Sequence, residues 1–322
     1  MIPAASRPID LMAVGLTTLD IAVHPVASLP GEEGQIVERI ALSPAGTAAG
    51  TAYVAQRLGL QAAVGSAIGI DPQGQLVRSM LEAEGVDTTL LVDDVAMPTS
   101  TTVLPIRPNG DRPNWHMLGA SLFAPVTPAV LEALDRTAAV HWAAVGFPGT
   151  AGQGAGFLAA AKARGAFVTC DLIAPSPAAA QDLDALLPHV DIFMPSLAEV
   201  AVLFGKTDDL RAAADHFIAK GAGACLFKLG ARGAALLTHD SVIEVPPWRI
   251  DPVDTTSCGD SVCAGFHAAR HRGLSDRDAM AFACATAAQV ASGIGTTGTL
   301  ASYQGVVDFM ATHQTATDAS HG

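Results

Sequence analysis

Residues 253–266, VDTTSCGDSVCAGF, place three small side chains directly ahead of an acid that opens an apolar run. Ser257, Cys258 and Gly259 let the backbone turn tightly enough for successive N–H groups to point at one oxyanion. The spacing of Val262, Phe266 and Ala269 predicts a helix from Asp260 onward. Those amides then fall at a helix N-terminus, where orphan donors and the positive end of the dipole favour bound phosphate. Asp260 lies beside the anion rather than under it, placed to accept the proton of a hydroxyl attacking phosphorus. The same residues also fit an ordinary helix start in which Asp260 only complements the dipole. A thiol at such a terminus is expected to react readily, unless Cys258 turns into the core. His267 and His271 stand i, i+4 on the same helix, but no third ligand or HExxH pattern accompanies them, so a structural or surface role is expected.

The run 254–260, DTTSCGD, resembles the carboxyl-side signature DTxGAGD of the ribokinase-like (PfkB) carbohydrate kinases, followed by the small pair Ala264 and Gly265. Ser257 and Cys258 stand where the family has Gly and Ala; a cradle made of backbone tolerates that. Other landmarks keep the family's order from about residue 11 to 297. The run 15–20, GLTTLD, is similar to the first strand end, whose acid grips sugar hydroxyls, and makes Asp20 the main substrate ligand. Ala45 and Gly46 resemble the di-glycine substrate loop, with Gly50 where many members carry a sugar-binding Asn. Residues 69, 71 and 74 match the loop after the next strand, and 85–87 match the GVD turn. SLAE at 196–199 resembles the NxxE element that helps position Mg²⁺ through water, with Ser196 for Asn and Glu199 retained. KLGARG at 228–233 resembles the nucleotide-side KxGxxG, which puts Lys228, Gly230 and Gly233 near ATP, together with Thr256 and Gly295. Asp254 and Thr256 match positions that hold an activating monovalent cation such as K⁺ in some members.

The resemblance implies an ATP- and Mg²⁺-dependent kinase that phosphorylates a hydroxyl, with Asp260 as base and the amides of Ser257, Cys258 and Gly259 as anion hole. No Lys or Arg occurs in the Gly46 loop or at 15–20, and Arg107 and Arg112 fall near a hairpin tip. An unphosphorylated sugar or a nucleoside is therefore the expected acceptor. The alternative is a non-catalytic sugar- or nucleotide-binding protein on the same fold. A glycosidase using Asp20 and Asp260 as its carboxylate pair would leave the cradle idle.

The elements that must position these groups read as α/β. Apolar runs at 138–146, 166–171, 190–195 and 224–228 alternate with helical patterns at 152–164 and 210–220. This predicts a doubly wound, mainly parallel sheet flanked by helices, with its site at the strands' carboxyl ends. Segments 101–107 and 112–118 flank Asn109-Gly110, a hairpin signal, and Pro105 and Pro113 suit edge strands. With 21–26 and 35–41 they predict a small β-sheet lid, inserted at about 20–42 and 99–118 in one domain spanning 1–322. Trp115, His116 and Met117 either face the substrate or pack between the lids of two subunits. Asp171 ends an apolar strand, where it either enters the site or caps the next turn. GFPGTAGQGAG at 146–156 lacks GxGxxG spacing, and Gly205-Lys206-Thr207 lacks the upstream Gly of a Walker A motif.

Of the 322 residues 50% are hydrophobic and only 15% charged, against a usual charged share of roughly 25%, which favours a homodimer, expected to form through the lid. The net charge of −13 argues against nucleic acid or an anionic membrane as partner. Five cysteines without CxxC spacing suggest reduced thiols. Residues 1–10 show no basic-then-apolar leader, and no apolar run reaches about 18 residues, so a cytoplasmic protein is expected. The tail after Ala311 is expected to be disordered.

Overall fold

Runs such as AAVGSAIG at 62–69 are buried along their whole length, the pattern of a strand covered on both faces. The computed structural model describes residues 8–205 and 208–316. Residues 1–7 of the N-terminus, Lys206, Thr207 and tail residues 317–322 lie outside them. In chain order the strands are β1 (Ile9–Gly15), β2 (Thr18–His24), β3 (Arg39–Ala45), β4 (Ala62–Gly69), β5 (Leu91–Asp94), β6 (Thr101–Pro105), β7 (Trp115–Met117), β8 (Thr137–Ala143), β9 (Phe167–Cys170), β10 (Ile192–Phe193), β11 (Cys225–Lys228), β12 (Ala234–Leu237) and β13 (Val242–Val245). The helices are α1 (Ala49–Arg57), α2 (Pro72–Glu84), α3 (Pro128–Ala133), α4 (Gly154–Ala163), α5 (Pro177–Leu186), α6 (Leu197–Phe204), α7 (Leu210–Ala219), α8 (Cys258–His271), α9 (Asp276–Ala291) and α10 (Tyr303–Thr312).

One nine-stranded sheet runs β13-β12-β11-β10-β9-β8-β1-β4-β5, parallel from β11 to β5 and antiparallel at β12 and β13. All four expected strands and both expected helices are present within a few residues. Leu11 and Ala13 of β1 face a layer built from α1, α2, α8, α9 and α10, whereas Met12 and Val14 face α3 to α7. Helix α8 is buried from Ser261 to Ala269 without interruption, as a helix apolar on all sides must be. It can cross α9 closely because Gly265 has no side chain: a Cβ there would lie 2.8 Å from Ala283 Cα and from Thr286 Oγ1.

The second sheet has four strands, in the order β3-β2-β6-β7. Thr102 of β6 pairs with His116 of β7 across the expected hairpin, and Gly110 sits at φ +82°. The strands stop short of the tip because the prolines remove donors, leaving 106–114 as a loop. Of the other two strands, expected at 21–26 and 35–41, β2 begins three residues earlier and β3 four residues later. The tail is a correction: Arg249 N–H donates to Gln314 O at 3.0 Å and Ala316 N–H to Pro247 O at 2.9 Å, so 312–316 is held against the body. Among the described residues no helix is long and apolar enough to cross a membrane.

Candidate active site

Leu16 just beyond β1, Asp171 just beyond β9, Ser196 beyond β10 and Lys228 at the end of β11 meet along the carboxyl rim of the sheet. Asp20 of β2, Thr102 of β6 and His116 of β7 face them from the small sheet, and the N-terminus of α8 closes the ring. Together they line one cavity of about 420 Å³. Of the expected site residues it takes in Asp20, Gly46, His116, Glu199, Lys228, Gly230 and Thr256 to Asp260. Gly50, Gly233, Asp254 and Gly295 are not on its wall.

The cradle forms because the chain reverses at Ser257, which adopts the left-handed φ 55° and ψ 13°, and no side chain caps the helix that follows. Ser261 N–H reaches Ser257 O at 2.8 Å. The N–H groups of Gly259 and Asp260 precede it and have no carbonyl of their own helix to reach, so they are free for an anion. Cys258 N–H contacts Thr255 O at 3.4 Å, so the amide of Asp260 takes the place expected of Cys258. Lys228 crosses beside this turn: a Cβ on Gly259 would lie 3.5 Å from its Nζ. The same Nζ donates to Asp171 Oδ2 at 2.5 Å. Burial opposes the ammonium, but Asp171 and Glu199 outweigh it and hold the Lys228 pKa above its ordinary value.

Asp260 is pushed up to about 6, first by burial and then by the charge of Asp171, against Lys228, the Ser257 hydroxyl and Arg112. It can therefore change protonation near neutral pH, as a base must. Gly50 lies behind it. A Cβ there would come 2.9 Å from Asp260 Oδ2 and 3.3 Å from Ser257 Oγ, so Gly50 makes room for the carboxylate. The thiol of Cys258 follows the second of its two expected courses. It points toward Ala287 O at 3.7 Å and burial pushes its pKa up to about 12, the opposite of an activated thiolate.

Asp20 is 6% exposed and its Oδ1 has no hydrogen-bond partner. Burial raises its pKa to about 7, against a hydrogen bond from Thr102. A buried acceptor atom aimed into a cavity is a ready place for a ligand hydroxyl. Thr102 Oγ1 also lies 2.9 Å from His116 Nδ1 and 3.2 Å from Thr18 Oγ1, which fixes the acceptor side of the wall. Gly46 turns the chain below it at φ +90°, where a Cβ would sit 2.6 Å from Leu16 O. Thr47 Oγ1 donates to Ala143 O at 3.1 Å and pins that turn to the main sheet.

SLAE is first of all a capping box. Ser196 N–H donates to Glu199 Oε2 at 2.6 Å and Glu199 N–H to Ser196 Oγ at 3.4 Å, a local signal readable from S-x-x-E. Burial and Asp171 raise the Glu199 pKa, and Glu199 still lines the cavity wall. Asp254 is buried and accepts from Thr256 N–H, Thr256 Oγ1 and Gly295 N–H at 2.8, 2.6 and 2.9 Å. A carboxylate has about four acceptor positions, so at most one remains for a cation. Asp254 and Gly295 thus tie the cradle loop to the end of α9. Gly233 closes the turn between β11 and β12, where a Cβ would meet Val245 O at 2.0 Å, so it faces backbone rather than nucleotide.

Of two further residues, Asp171 takes a position the sequence already offered and Arg112 gained importance only in three dimensions. Asp171 enters the site as the partner of Lys228, and Leu172 N–H also donates to it at 2.8 Å. Arg112, expected at a remote hairpin tip, lines the cavity, and its Nε lies 3.3 Å from Thr255 Oγ1. The acceptor loops lack cations, but the cavity does not. His267 is buried, with Nε2 2.8 Å from Thr169 Oγ1, while His271 is exposed near Asp10, so the pair is structural as expected. Gly205 is the left-handed cap of α6, in keeping with a helix end.

The pfkB family carbohydrate kinase model matches residues 9–302. The chain belongs to that family. A nucleoside kinase of Methanothermobacter thermautotrophicus is 26% identical over 307 residues, covering 89% of this chain and 91% of that protein. A fructokinase of Klebsiella pneumoniae is 28% identical over 246 residues, 74% of this chain and 79% of the other. A 1-phosphofructokinase of Haloferax volcanii is 41% identical over 106 residues, but that match takes in only 32% of this chain and 35% of the relative. These relatives are named as kinases of a sugar, a sugar phosphate and a nucleoside. A putative ribokinase II from E. coli in its apo form superposes with a TM-score of 0.84 at 20% identity, over 95% of this chain and all of the other. Arabidopsis thaliana ribokinase complexed with ribose and ATP gives 0.77 at 23% identity, over 94% and 98%. At those identities the likeness is one of fold.

Proposed function

We propose that this PfkB-family member transfers the γ-phosphoryl group of ATP to a hydroxyl of an unphosphorylated sugar or a nucleoside. The observation that carries the reading is the meeting of three groups in one cavity: Asp260, the free amides at the start of α8, and the Asp20 carboxylate with its unpartnered Oδ1. Asp20 and the Gly46 turn would hold the acceptor, with the small sheet as a lid that excludes water. Asp260 would take the hydroxyl proton as the oxygen attacks phosphorus, while the α8 amides and Lys228 meet the charge of the transferred group. Mg²⁺, held through water near Glu199, would supply charge neutralisation on the phosphates. A related structure, the E. coli ribokinase II with ATP and Mg²⁺, supports that choice of nucleotide and metal. K⁺ near Asp254 and Thr256 belongs to the same reading and is tested by exchanging K⁺ for Na⁺. Asp20 disfavours an anionic acceptor, which supports an uncharged one.

Trp115 and Met117 are 54% and 46% exposed on the lid face opposite His116, and exposed Ile40 and Leu42 stand on β3 at the other edge of the same sheet. A second copy of the chain covering that face would complete a homodimer. An ATP-turnover assay over sugars, nucleosides and sugar phosphates tests the function. Turnover confined to neutral acceptors is the expected result, and turnover of sugar phosphates alone would refute the acceptor class.

A further inference from the structure

Four carboxylates line the cavity, Asp20, Asp171, Glu199 and Asp260, against two permanent cations, Lys228 and Arg112, among the described residues. Lys228 is committed to Asp171. Polyphosphate entering this acidic pocket therefore has one cationic side chain on the wall that no acid engages. Arg112 has its Nε on Thr255 Oγ1, and neither Nη atom makes a hydrogen bond or ion pair among the described residues.

Its backbone is seated as well. Thr255 Oγ1 donates to Gly110 O at 3.4 Å, and a Cβ on Gly110 would lie 3.2 Å from Pro252 O, so the hairpin tip rests on the loop leading into the cradle. The guanidinium thus hangs between the acceptor side and the α8 terminus, and its charge acts on both Asp20 and Asp260. A planar fork with free donors suits phosphoryl oxygens better than a hydroxyl.

We propose that Arg112 is a catalytic residue of phosphoryl transfer, a lid-borne cation that contacts the migrating group. This rests on the kinase reading above. In that step the acceptor oxygen bonds to the γ-phosphorus and its proton passes to Asp260. The bond from phosphorus to the bridging oxygen breaks, leaving its electron pair on ADP. Arg112 changes no bond; it offsets the charge on the non-bridging oxygens.

The test compares wild type with Arg112→Ala and Arg112→Lys, using an acceptor that wild type turns over. Expected for Arg112→Ala is a fall in kcat on the order of a hundredfold with acceptor KM changed by no more than about threefold, partly restored by added guanidinium. By calorimetry the same variant should lose affinity for MgADP–aluminium fluoride with acceptor, yet bind MgADP alone as wild type does. An intact kcat with a raised acceptor KM would assign Arg112 to an anionic acceptor group and overturn the proposal. So would unchanged kinetics, which would make the tip contact purely structural. Absence of turnover in wild type with every acceptor would instead sink the kinase reading, and this proposal with it.

Discussion

At the residue scale the site turns on two buried acids whose environment brings them near neutrality, Asp260 at about 6 and Asp20 at about 7. A base must be ionised, so kcat/KM should fall as pH drops through about 6, and a profile that stays flat well below that value would contradict the assignment. The stability linkage runs the other way. Both folded pKa values exceed the ordinary 3.8, so the native state binds more protons than the unfolded chain between about 4 and 7, and the contribution of these groups is lost as pH rises through that window. Asp260→Asn should therefore melt no lower than wild type at mildly alkaline pH. A second expectation concerns Ser257, a non-glycine in the left-handed region, which costs roughly 1 kcal/mol. Ser257→Gly should raise the melting temperature, and because the lost hydroxyl lowers the Asp260 pKa, the acid limb should move to higher pH. Unmoved melting and pH profiles would show that the hydroxyl and the strain are irrelevant. The cradle was legible because small residues before a helix are a local signal. The left-handed turn at Ser257 was not, since nothing in the spacing says which residue reverses.

At the element scale the strands were readable from unbroken apolar runs, which only a sheet covered on both faces produces. The hairpin of the small sheet was readable from Asn109-Gly110 and the prolines, but its other two strands were misplaced, β2 three residues too late and β3 four too early, because an apolar pattern fixes the existence of a strand better than its ends. At Gly50 the close packing of α1 against the first turn of α8 leaves no room for a side chain, and no local spacing reports that. Close crossing also governs α8 and α9. Gly265→Ala would drive a methyl to 2.8 Å from Ala283 Cα and should cost about 1–3 kcal/mol, a loss of several degrees in Tm. Calorimetric melting checks it, and an unchanged Tm would mean that the helices separate freely.

At the scale of the whole molecule, an acidic chain of net charge −13 must bind an anionic nucleotide, so local amides, Lys228 and Arg112 have to overcome the global field. Composition made that problem visible. The side chains that meet it come from the end of β11 and from the loop between β6 and β7, so the place of Arg112 emerges only once the chain is folded. The lid's exposed apolar face gives a further expectation: light scattering should report a dimer, and Trp115→Glu with Met117→Glu should give a folded monomer. A wild-type monomer would refute the lid interface. The central claim, hydroxyl phosphorylation with Asp260 as base, is tested most directly by steady-state turnover of Asp260→Asn with MgATP and the best acceptor. The account expects turnover at least about a hundredfold below wild type, with nucleotide affinity and Tm preserved. Near-wild-type turnover in that variant would contradict it.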